Sequence, residues 1–347
     1  MKDGVIVPAT ELKRFVKDVF AQVNVPDEHA AIVADCLVTA NLSGVDSHGV
    51  VRLAHYIRRL ENDSIKSRPD VSFEQTAPAI GILDGDDGLG HVAMYHACNH
   101  AMTLAEESGA GAVSVKNSSH AGMIGYFIKH IVSKGYLAVI TVATDPFLIP
   151  FGAKKPFFGT NPIAFGFPTD GMPVILDMAT TSIPYGKVAL AITEEKTIPS
   201  DWGFDDQGGP TADPNRIVGL HPFAGPKGSG LAMIVDIFSS ILSGMPWGPH
   251  INKMYHDMNQ PRKLGHFVWV LDIKKMMPIE LFKQRLGDML GEVGRLEPAE
   301  GFDRVCYPGQ IEGEKRRERA KDGIPIDPGL YRELQGLAET FRIPPPV

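Results

Sequence analysis

The sequence has few cysteines and no long apolar run. Its three cysteines, Cys36, Cys98 and Cys306, are odd in number and far apart, which indicates free thiols in a reducing compartment rather than disulfides or a zinc cluster. No stretch of about eighteen apolar residues is present, and the chain does not start with a basic segment followed by an apolar one. We therefore expect neither a membrane span nor a signal peptide, and a cytoplasmic location.

The chain also lacks an excess of positive charge. Lys and Arg number 34 against 41 Asp and Glu, so the net charge is −7. This balance argues against nucleic acid or an anionic membrane surface as the main partner, although local Arg and Lys can still bind a small anion. A length of 347 residues with 44% hydrophobic residues suffices for two domains, or for one large core with a smaller helical layer.

The common nucleotide-binding and metal-binding motifs are absent as well. No G-x-G-x-x-G follows a predicted strand, there is no P-loop, and none of the twelve histidines has the H-E-x-x-H spacing. Periodicity nevertheless predicts an α/β protein without a parallel Rossmann sheet. The predicted strands are 111–115, 136–142, 163–167, 174–176, 266–273 and 304–307, and the predicted helices are 12–23, 27–44, one beginning at Ser47, 123–134, 185–192, 231–242, 278–293 and 328–341.

Other segments are defined by their composition. The helix at 231–242 is almost wholly apolar, so we expect it to be buried on all sides. The Pro-containing polar stretch 67–78 predicts a domain boundary, and 197–215 predicts a long surface loop. The densely charged segment 312–321 is expected to be solvated.

The first candidate site is the segment Asp46-Ser47-His48-Gly49-Val50-Val51-Arg52. Ser47 is expected to cap a helix, so that His48 and Arg52, four residues apart, project from one helix face near its start. Arg can hold a carboxylate with two hydrogen bonds while His exchanges a proton at the neighbouring oxygen, which is chemistry suited to a hydroxy acid. The alternative is an exposed arginine beside a helix-capping histidine.

Three further segments combine turn residues with ligand-binding groups. Segment 117–122 places His120 where a strand gives way to a helix, a position suited to acid–base chemistry, unless its polar residues only cap the helix. The apolar loop 144–162 suits a wall for a nicotinamide or adenine ring, a subunit contact or plain packing. The turn 225–230, with Lys227, offers backbone N–H groups and a positive charge to a pyrophosphate, or is a glycine turn before a core helix.

The order of six short motifs resembles one known family. The motifs are Asp46-Ser47-His48-Gly49, Ser119-His120-Ala121-Gly122, Phe158-Gly159-Thr160-Asn161-Pro162, Leu176-Asp177-Met178-Ala179-Thr180-Thr181, Gly225-Pro226-Lys227-Gly228 and Tyr307-Pro308-Gly309-Gln310. Together they resemble the malate/L-lactate dehydrogenase family of the second, non-Rossmann type, also called sulfolactate dehydrogenase-like, over nearly the whole chain. Three of them are most similar to the ureidoglycolate dehydrogenase branch of that family.

The resemblance implies a fold and an activity. The implied fold is α/β, with a non-Rossmann NAD(P)-binding mixed-sheet domain at 76–275 and an α-helical domain formed by both chain ends, 1–75 and 276–347. The implied reaction is NAD(P)-dependent oxidation of a small 2-hydroxy acid to the 2-oxo acid, in the first place (S)-ureidoglycolate to oxalurate with NAD, with NADP as the other cofactor. A homodimer is implied, and no metal.

The resemblance also assigns site residues. His120 matches the proton acceptor of one branch and His48 the acid–base histidine of another, and substrate contacts are expected from Arg52, Ser47 and Thr160. The expected cofactor-binding residues are Thr144, Asp177, Met178, Ala179, Lys227, Gly228, Pro308, Gly309 and Gln310. Thr144 replaces the serine of close relatives and keeps its hydroxyl, whereas Ser229 replaces an aromatic residue and leaves the substrate open.

Several alternatives remain at this point. Within the enzyme class they are oxidation of malate, L-lactate or sulfolactate, and NADPH-dependent reduction of a cyclic imine of the piperideine-2-carboxylate type. Outside it, the alternative is a catalytically silent dinucleotide-binding scaffold. The homodimer is further suggested by the apolar loop 147–158, which a partner would cover, and by the small size of the helical N-terminal part.

Overall fold

The computed structural model describes residues 4–193 and 195–347. In chain order its strands are β1 (Val5–Val7), β2 (Ser72–Ala77), β3 (Ile80–Asp84), β4 (Ala110–Ser118), β5 (Leu137–Val142), β6 (Ile163–Phe167), β7 (Val174–Met178), β8 (Gly203–Phe204), β9 (Gly219–Leu220), β10 (Leu264–Leu271) and β11 (Ile324–Ile326). Its α-helices are α1 (Ala9–Gln22), α2 (Asp27–Leu42), α3 (Leu53–Glu61), α4 (Gly90–Ser108), α5 (Ile124–Val132), α6 (Tyr185–Thr193), α7 (Pro226–Asp236), α8 (Ile279–Gly294), α9 (Gln310–Asp322) and α10 (Pro328–Phe341).

The centre of the fold is a seven-stranded mixed sheet. Its strand order is β2-β3-β4-β10-β5-β6-β7, in which β3 and β4 run parallel and the other neighbouring pairs are antiparallel. The strands β4, β5 and β10 contribute buried β-branched residues such as Val113, Ile140 and Val268, and α4 and α5 pack on them to close an apolar core. This architecture confirms the expected α/β fold without a parallel Rossmann sheet.

Both chain ends build a second apolar core. β1 pairs antiparallel with β11, with Val5 opposite Ile326, and this pairing joins the N-terminal helices to α10. The core residues come from α1, α2, α3 and α10, whose apolar residues recur at helical spacing; they include Leu12, Phe15, Val33, Leu37, Leu53, Leu334 and Ala338. A helical layer formed by both chain ends is therefore present, whereas the boundaries at residues 75 and 275 stay a prediction.

The structure corrects several expectations for local structure. The stretch 67–78 is not simply an irregular boundary, because 72–77 forms the edge strand β2. Residues 304–307 form no strand. The charged segment 312–321 is part of helix α9 and is solvated only in part, because Arg319 is buried. Cys36 and Cys98 are buried and Cys306 is half-buried, and all three are free thiols.

The apolar segment 231–242 is not buried on all sides. Helix α7 ends at Asp236 and continues as a π-helical turn, Ile237–Ile241. Six large apolar side chains of this segment are each 40–58% exposed; they are Met233, Ile234, Ile237, Phe238, Ile241 and Leu242. The expectation failed because apolar composition alone does not show whether a second surface covers a helix.

The apolar loop at 147–158 packs largely inside its own chain. Leu148 and Ile149 are fully buried, and Phe158 packs with Leu148 on Ala232. Among its large apolar side chains, only Phe151 and Phe157 are exposed. The loop therefore needs no partner subunit to cover it, contrary to the argument from sequence.

None of the helices in the described ranges combines the length and apolar character that spanning a bilayer requires.

A substitution at Gly265 tests how closely the sheet packs against the π-helical turn. A Cβ atom at this position would lie 1.8 Å from the backbone oxygen of Ser239 and 2.3 Å from the hydroxyl of Ser243. Because the first clash is with backbone, we expect Gly265→Ala to lower the free energy of unfolding by about 3 kcal/mol or more. Urea denaturation of the full chain measures this.

The matched control is Gly287→Ala in α8, where an added Cβ meets nothing within 4 Å. That change should raise the free energy of unfolding by about 0.5–1 kcal/mol, because alanine loses less backbone entropy in a helix than glycine. Equal effects of the two substitutions would contradict the packing described here.

Candidate active site

The ends of five adjacent strands meet at one edge of the sheet. The register places Leu264 of β10 opposite Ser118 of β4, and His266 opposite Val142 of β5. In the same way the end of β5 lies beside the start of β6, and Ile163 lies opposite Met178 of β7. Six of the predicted site residues lie at or beside these ends, namely His120, Thr144, Thr160, Asp177, Met178 and Ala179. Residues distant in sequence therefore share one edge.

His120 lies at this edge and contacts two aromatic rings. A hydrogen bond of 2.6 Å joins its Nδ1 to the hydroxyl of Tyr56, a residue of α3 that is 1% exposed. The His48 ring stacks on the His120 ring with centroids 5.7 Å apart and an interplanar angle of 25°. The structure thus brings together the two histidines that the sequence singled out, and adds Tyr56 to them.

Both histidines are held in the neutral form. Burial lowers the pKa of His48 to about 4, and the charge of Arg52 adds to this effect. Burial likewise lowers the pKa of His120 well below its usual value, with contributions from His48 and Arg52. A neutral imidazole at pH 7 can accept a proton, which is what a general base requires.

Two more histidines lie behind the site and are completely buried. His91 packs edge-to-face on Tyr56 with centroids 5.1 Å apart, and neither of its ring nitrogens has a partner among the described residues. His266 bonds the hydroxyl of Ser118 through Nε2 at 2.8 Å. Burial lowers the pKa of His91 to about 3 and that of His266 to about 4.

These buried histidines predict acid sensitivity. Because the folded-state pKa of His91 and His266 lies below the unfolded value near 6.5, the unfolded chain binds protons first as the pH falls. We expect the free energy of unfolding to be highest above pH 6.5 and to fall by about 1.4 kcal/mol per pH unit for each of them toward pH 4.

The measurement is urea denaturation between pH 7 and pH 4.5 for the parent chain and for His91→Leu. The variant should lose part of the pH slope, whatever its stability at pH 7. His250→Leu, which changes an exposed histidine, should keep the parent slope. An unchanged slope in His91→Leu would contradict the prediction.

The segment that carries His48 and Arg52 is not the expected helix. Asp46–His48 and Val50–Arg52 form two short 3₁₀ turns, Gly49 between them is extended, and α3 begins only at Leu53. Ser47 therefore caps no helix. The reason is Asn41, whose side-chain oxygen accepts from the Val50 amide at 2.9 Å and occupies the space where a residue-49 Cβ would lie.

This turn is anchored from the far end of the chain. Arg319 of α9 donates to both carboxylate oxygens of Asp46, at 2.8 and 3.1 Å, and also to the backbone oxygen of Asn41. The side-chain amide of Asn41 donates to Asp46 at 2.7 Å. The position of His48 therefore depends on an ion pair between the N-terminal and C-terminal parts of the protein.

Arg52 is fixed at the same turn. Its Nε donates to the backbone oxygen of Ser47 at 2.7 Å, and its Nη1 donates to the hydroxyl of Tyr255. The hydroxyl of Ser47 bonds Nδ1 of His48 at 3.0 Å. Although Arg52 and His48 do not share a helix, Ser47 joins them, and the His48 ring stacks on His120.

The expected cofactor residues form a connected set. The hydroxyls of Thr144 and Thr160 are 3.3 Å apart, and the backbone oxygen of Thr160 accepts from the Thr180 amide at 2.8 Å. The backbone oxygen of Thr180 accepts from Phe223, whose own oxygen accepts from Gly228 at 3.0 Å. This chain of hydrogen bonds leads from Thr144 to the start of α7, where Lys227 is exposed.

The remaining expected cofactor residues flank β7. A carboxylate oxygen of Asp177 accepts from the Gly125 amide at 2.7 Å and caps α5, so that oxygen is occupied by its own chain. The backbone oxygen of Pro308 accepts from Ile175 at 3.1 Å, which holds the turn with Gly309 and Gln310 against the strand. Met178 and Ala179 continue from β7 toward Thr180.

The donor set of this region is suited to a dinucleotide. α7 begins after Gly225, which has no side chain to cap the helix. Pro226 has no amide N–H and the Gly228 amide already donates to Phe223, so the amide and the side chain of Lys227 are the groups that can face an anion such as a pyrophosphate. The hydroxyls of Thr144 and Thr160 can bond a ribose or a nicotinamide amide. These residues fit the NAD(P) that the sequence resemblance implied.

Sequence reasoning missed four polar residues of the site: Tyr56, Asp145, Tyr255 and Arg262. Tyr56 could have been found, because a tyrosine on the apolar stripe of α3 needs a partner for its hydroxyl. The other three lie in loops whose sequence gives no periodic signal, and only the pairing of β5 with β10 shows that they are neighbours.

Comparison with known proteins identifies similar chains. Residues 7–335 match the family model for malate/L-lactate dehydrogenase. The ureidoglycolate dehydrogenase (NAD⁺) of Escherichia coli K12 is 36% identical over 324 residues, 93% of each chain. The L-sulfolactate dehydrogenase of Methanocaldococcus jannaschii is 35% identical over 96% of each. The solved malate dehydrogenase of Entamoeba histolytica has a TM-score of 0.94 at 28% identity, with 99% of this chain and 100% of that one covered.

Proposed function

Because this chain belongs to the malate/L-lactate dehydrogenase family and is a 2-hydroxy acid dehydrogenase rather than a silent scaffold, we propose that it oxidises (S)-ureidoglycolate to oxalurate with NAD. The substrate and the choice of NAD over NADP are supported by the 36% identity to a ureidoglycolate dehydrogenase (NAD⁺). The observation that carries the reaction type is His120 at the sheet edge, which bonds the buried Tyr56 hydroxyl and stacks on His48, the residue that Ser47 joins to Arg52.

His120 acts as the proton acceptor in this proposal. Its Nδ1 bonds the Tyr56 hydroxyl, and we propose the tautomer in which Nδ1 is the donor, so that Nε2 is unprotonated and able to take the proton of the substrate hydroxyl. The bond to a buried phenol fixes the ring orientation. His48, stacked on His120, limits the space at the site and contributes to keeping His120 neutral.

Arg52 binds the substrate carboxylate in the same proposal. The bond from Nε to Ser47 fixes the plane of the guanidinium, and Nη1 can exchange the Tyr255 hydroxyl for a carboxylate oxygen. Ser47 and Thr160 border the substrate. This arrangement sets the hydroxyl-bearing carbon beside His120.

Bound NAD supplies the nicotinamide carbon that accepts the hydride. We place its phosphates at the start of α7, with Lys227 and Gly228, and its nicotinamide ribose near Thr144. Asp177, Met178, Ala179 and the turn of Pro308, Gly309 and Gln310 then line its remaining length. These segments keep the donor carbon and the cofactor in reach, which is a large part of the rate that an enzyme contributes.

The substrate proposal is tested by one assay panel. The purified chain is assayed for oxidation of ureidoglycolate, L-malate, L-lactate and sulfolactate, and for reduction of a cyclic imine, each with the NAD and NADP couples. We expect kcat/KM with ureidoglycolate and NAD to be about tenfold or more above the kcat/KM of every other combination of substrate and cofactor. A tenfold difference corresponds to about 1.4 kcal/mol in activation free energy. A higher value for another pair would overturn the substrate or cofactor assignment.

We further propose that the enzyme is a homodimer. The exposed apolar side chains of α7 and the turn after it form a surface larger than single scattered residues. It adjoins the proposed phosphate site at the start of α7, so a second copy packed there would also exclude water from the cofactor. Sedimentation at assay concentration should give an active species of dimer mass, and an active monomer would refute the proposal.

A further inference from the structure

Two arginines of the site region are almost completely buried, but they differ in how many of their nitrogen atoms are hydrogen-bonded. Arg59 is 1% exposed and Arg262 is 2% exposed. Arg59 donates to three backbone oxygens, those of Lys253, Met254 and Gln260, and also to Ser64 and to a ring nitrogen of His55. All of its nitrogen atoms have partners. Arg59 therefore holds the loop 253–260 with every nitrogen of its guanidinium bonded.

Arg262 makes fewer hydrogen bonds than Arg59. Its Nη2 donates to a carboxylate oxygen of Asp145 at 2.5 Å. Its Nε and Nη1 are buried and have no hydrogen-bond partner among the described residues. The ion pair balances the charge, but it leaves two donors of a cation unpaired, and native structures rarely retain such donors without a function.

The position of Arg262 places these donors in the candidate site. Arg262 lies just before β10, the strand between β4, which leads to His120, and β5, which leads to Thr144 and Asp145. Its partner Asp145 also accepts from the amide of Met254, the neighbour of Tyr255, at 3.2 Å, and the charge of Arg262 is among those that lower the pKa of His120. Arg262 therefore lies between the proposed proton acceptor and the proposed cofactor loop.

We propose that Nε and Nη1 of Arg262 bind a second acceptor group of the substrate, on the side of the hydroxyl-bearing carbon opposite the carboxylate held by Arg52. This inference rests on the proposed function of the site. Both donors lie beneath the surface, so a side chain must move to admit the group. Tyr255, which is 55% exposed, is the side chain we expect to move.

The chemistry of a guanidinium limits the substrate class. It has only donors, so it selects a carbonyl or carboxylate oxygen and not an ammonium group. The ureido carbonyl of ureidoglycolate and the second carboxylate of malate both qualify, whereas the methyl group of lactate would leave the two donors unpaired. A site built to bond a substrate group discriminates strongly against the analogue that lacks it. We infer that this enzyme requires a 2-hydroxy acid with a second acceptor.

The test compares substrates in Arg262→Lys. Lysine keeps the charge beside Asp145 but lacks the planar pair of donors. We expect kcat/KM for ureidoglycolate and for malate to fall by about 30-fold or more, while the low value for L-lactate changes less than about threefold. The control is Arg59→Lys, at equal burial, which should leave the ratio of malate to lactate unchanged.

The outcomes separate this inference from the proposed function. A parent enzyme that prefers malate to ureidoglycolate would refute the proposed substrate and leave the role of Arg262 supported. Equal losses for lactate and malate in Arg262→Lys, or a parent enzyme that prefers lactate, would refute the role of Arg262. If Arg262→Lys fails to fold, Asp145→Asn is measured instead. This variant leaves Arg262 in place, so the preference for malate over lactate should persist. Loss of that preference in Asp145→Asn would count against the inference.

Discussion

Replacing His120 by glutamine should lower kcat for oxidation by about 10²–10⁴-fold, the range that general acid–base catalysis contributes. Glutamine keeps a polar group near the Tyr56 hydroxyl but cannot accept the substrate proton. The loss should appear in kcat and in kcat/KM to the same extent, because the proton is transferred in the transition state and not on binding. Steady-state kinetics at pH 7 with the best substrate of the panel give the measurement.

Two matched variants decide whether His120 or His48 is the acceptor. His48→Gln should reduce kcat by less than His120→Gln, because the His48 Nδ1 bonds only the exposed Ser47 hydroxyl and no buried group fixes its ring. His250→Gln, which changes an exposed histidine, should have parent kinetics. A larger loss in His48→Gln would transfer the role to His48, and parent kinetics in both would remove acid–base catalysis from this pair.

Replacing Arg52 by lysine should raise KM for the 2-hydroxy acid by about 10–100-fold. The guanidinium supplies two parallel donors to a carboxylate, and one lost hydrogen bond to a charged group costs roughly 1.5–3 kcal/mol. Because the lysine retains a positive charge, part of the attraction to the substrate remains. KM for NAD should change little, since the proposed cofactor residues lie on other segments.

Arg58→Lys is the control, because Arg58 is exposed on the same helix region and its Nε donates only to the Ala54 oxygen, at 3.3 Å. It should leave both KM values unchanged. An unchanged KM for the acid in Arg52→Lys would exclude Arg52 from carboxylate binding.

Local sequence patterns predicted those helices and strands whose apolar spacing and end residues are distinctive. The helices α1, α2 and α10 and the strand β6 were expected within a few residues of their observed bounds, because apolar spacing and glycine or proline at the ends define them. The edge strand β2, its neighbour β3 and the long helix α4 were missed. Their residues are mixed in polarity, and their structure depends on pairing and packing with distant parts of the chain.

The candidate site likewise contains residues that local sequence patterns indicated and contacts that they did not. Each motif with a histidine or a glycine-rich turn was visible as a short segment, and the structure brings these segments to one sheet edge. The contact between His120 and Tyr56, and the pair of Arg262 and Asp145, join residues 64 and 117 positions apart. No local pattern encodes such contacts, because they form only when helices and strands distant in the sequence pack together.

The ion pair between Arg319 and Asp46 sets the order in which the enzyme can become competent during its synthesis. The two residues are 273 positions apart, so Arg319 is synthesised well after the turn that carries His48. That turn is made early but lacks this anchor until α9 has been added. A nascent chain can therefore fold much of its sheet before the turn with His48 is fixed, and the proposed site is finished only after α9 has packed on α2.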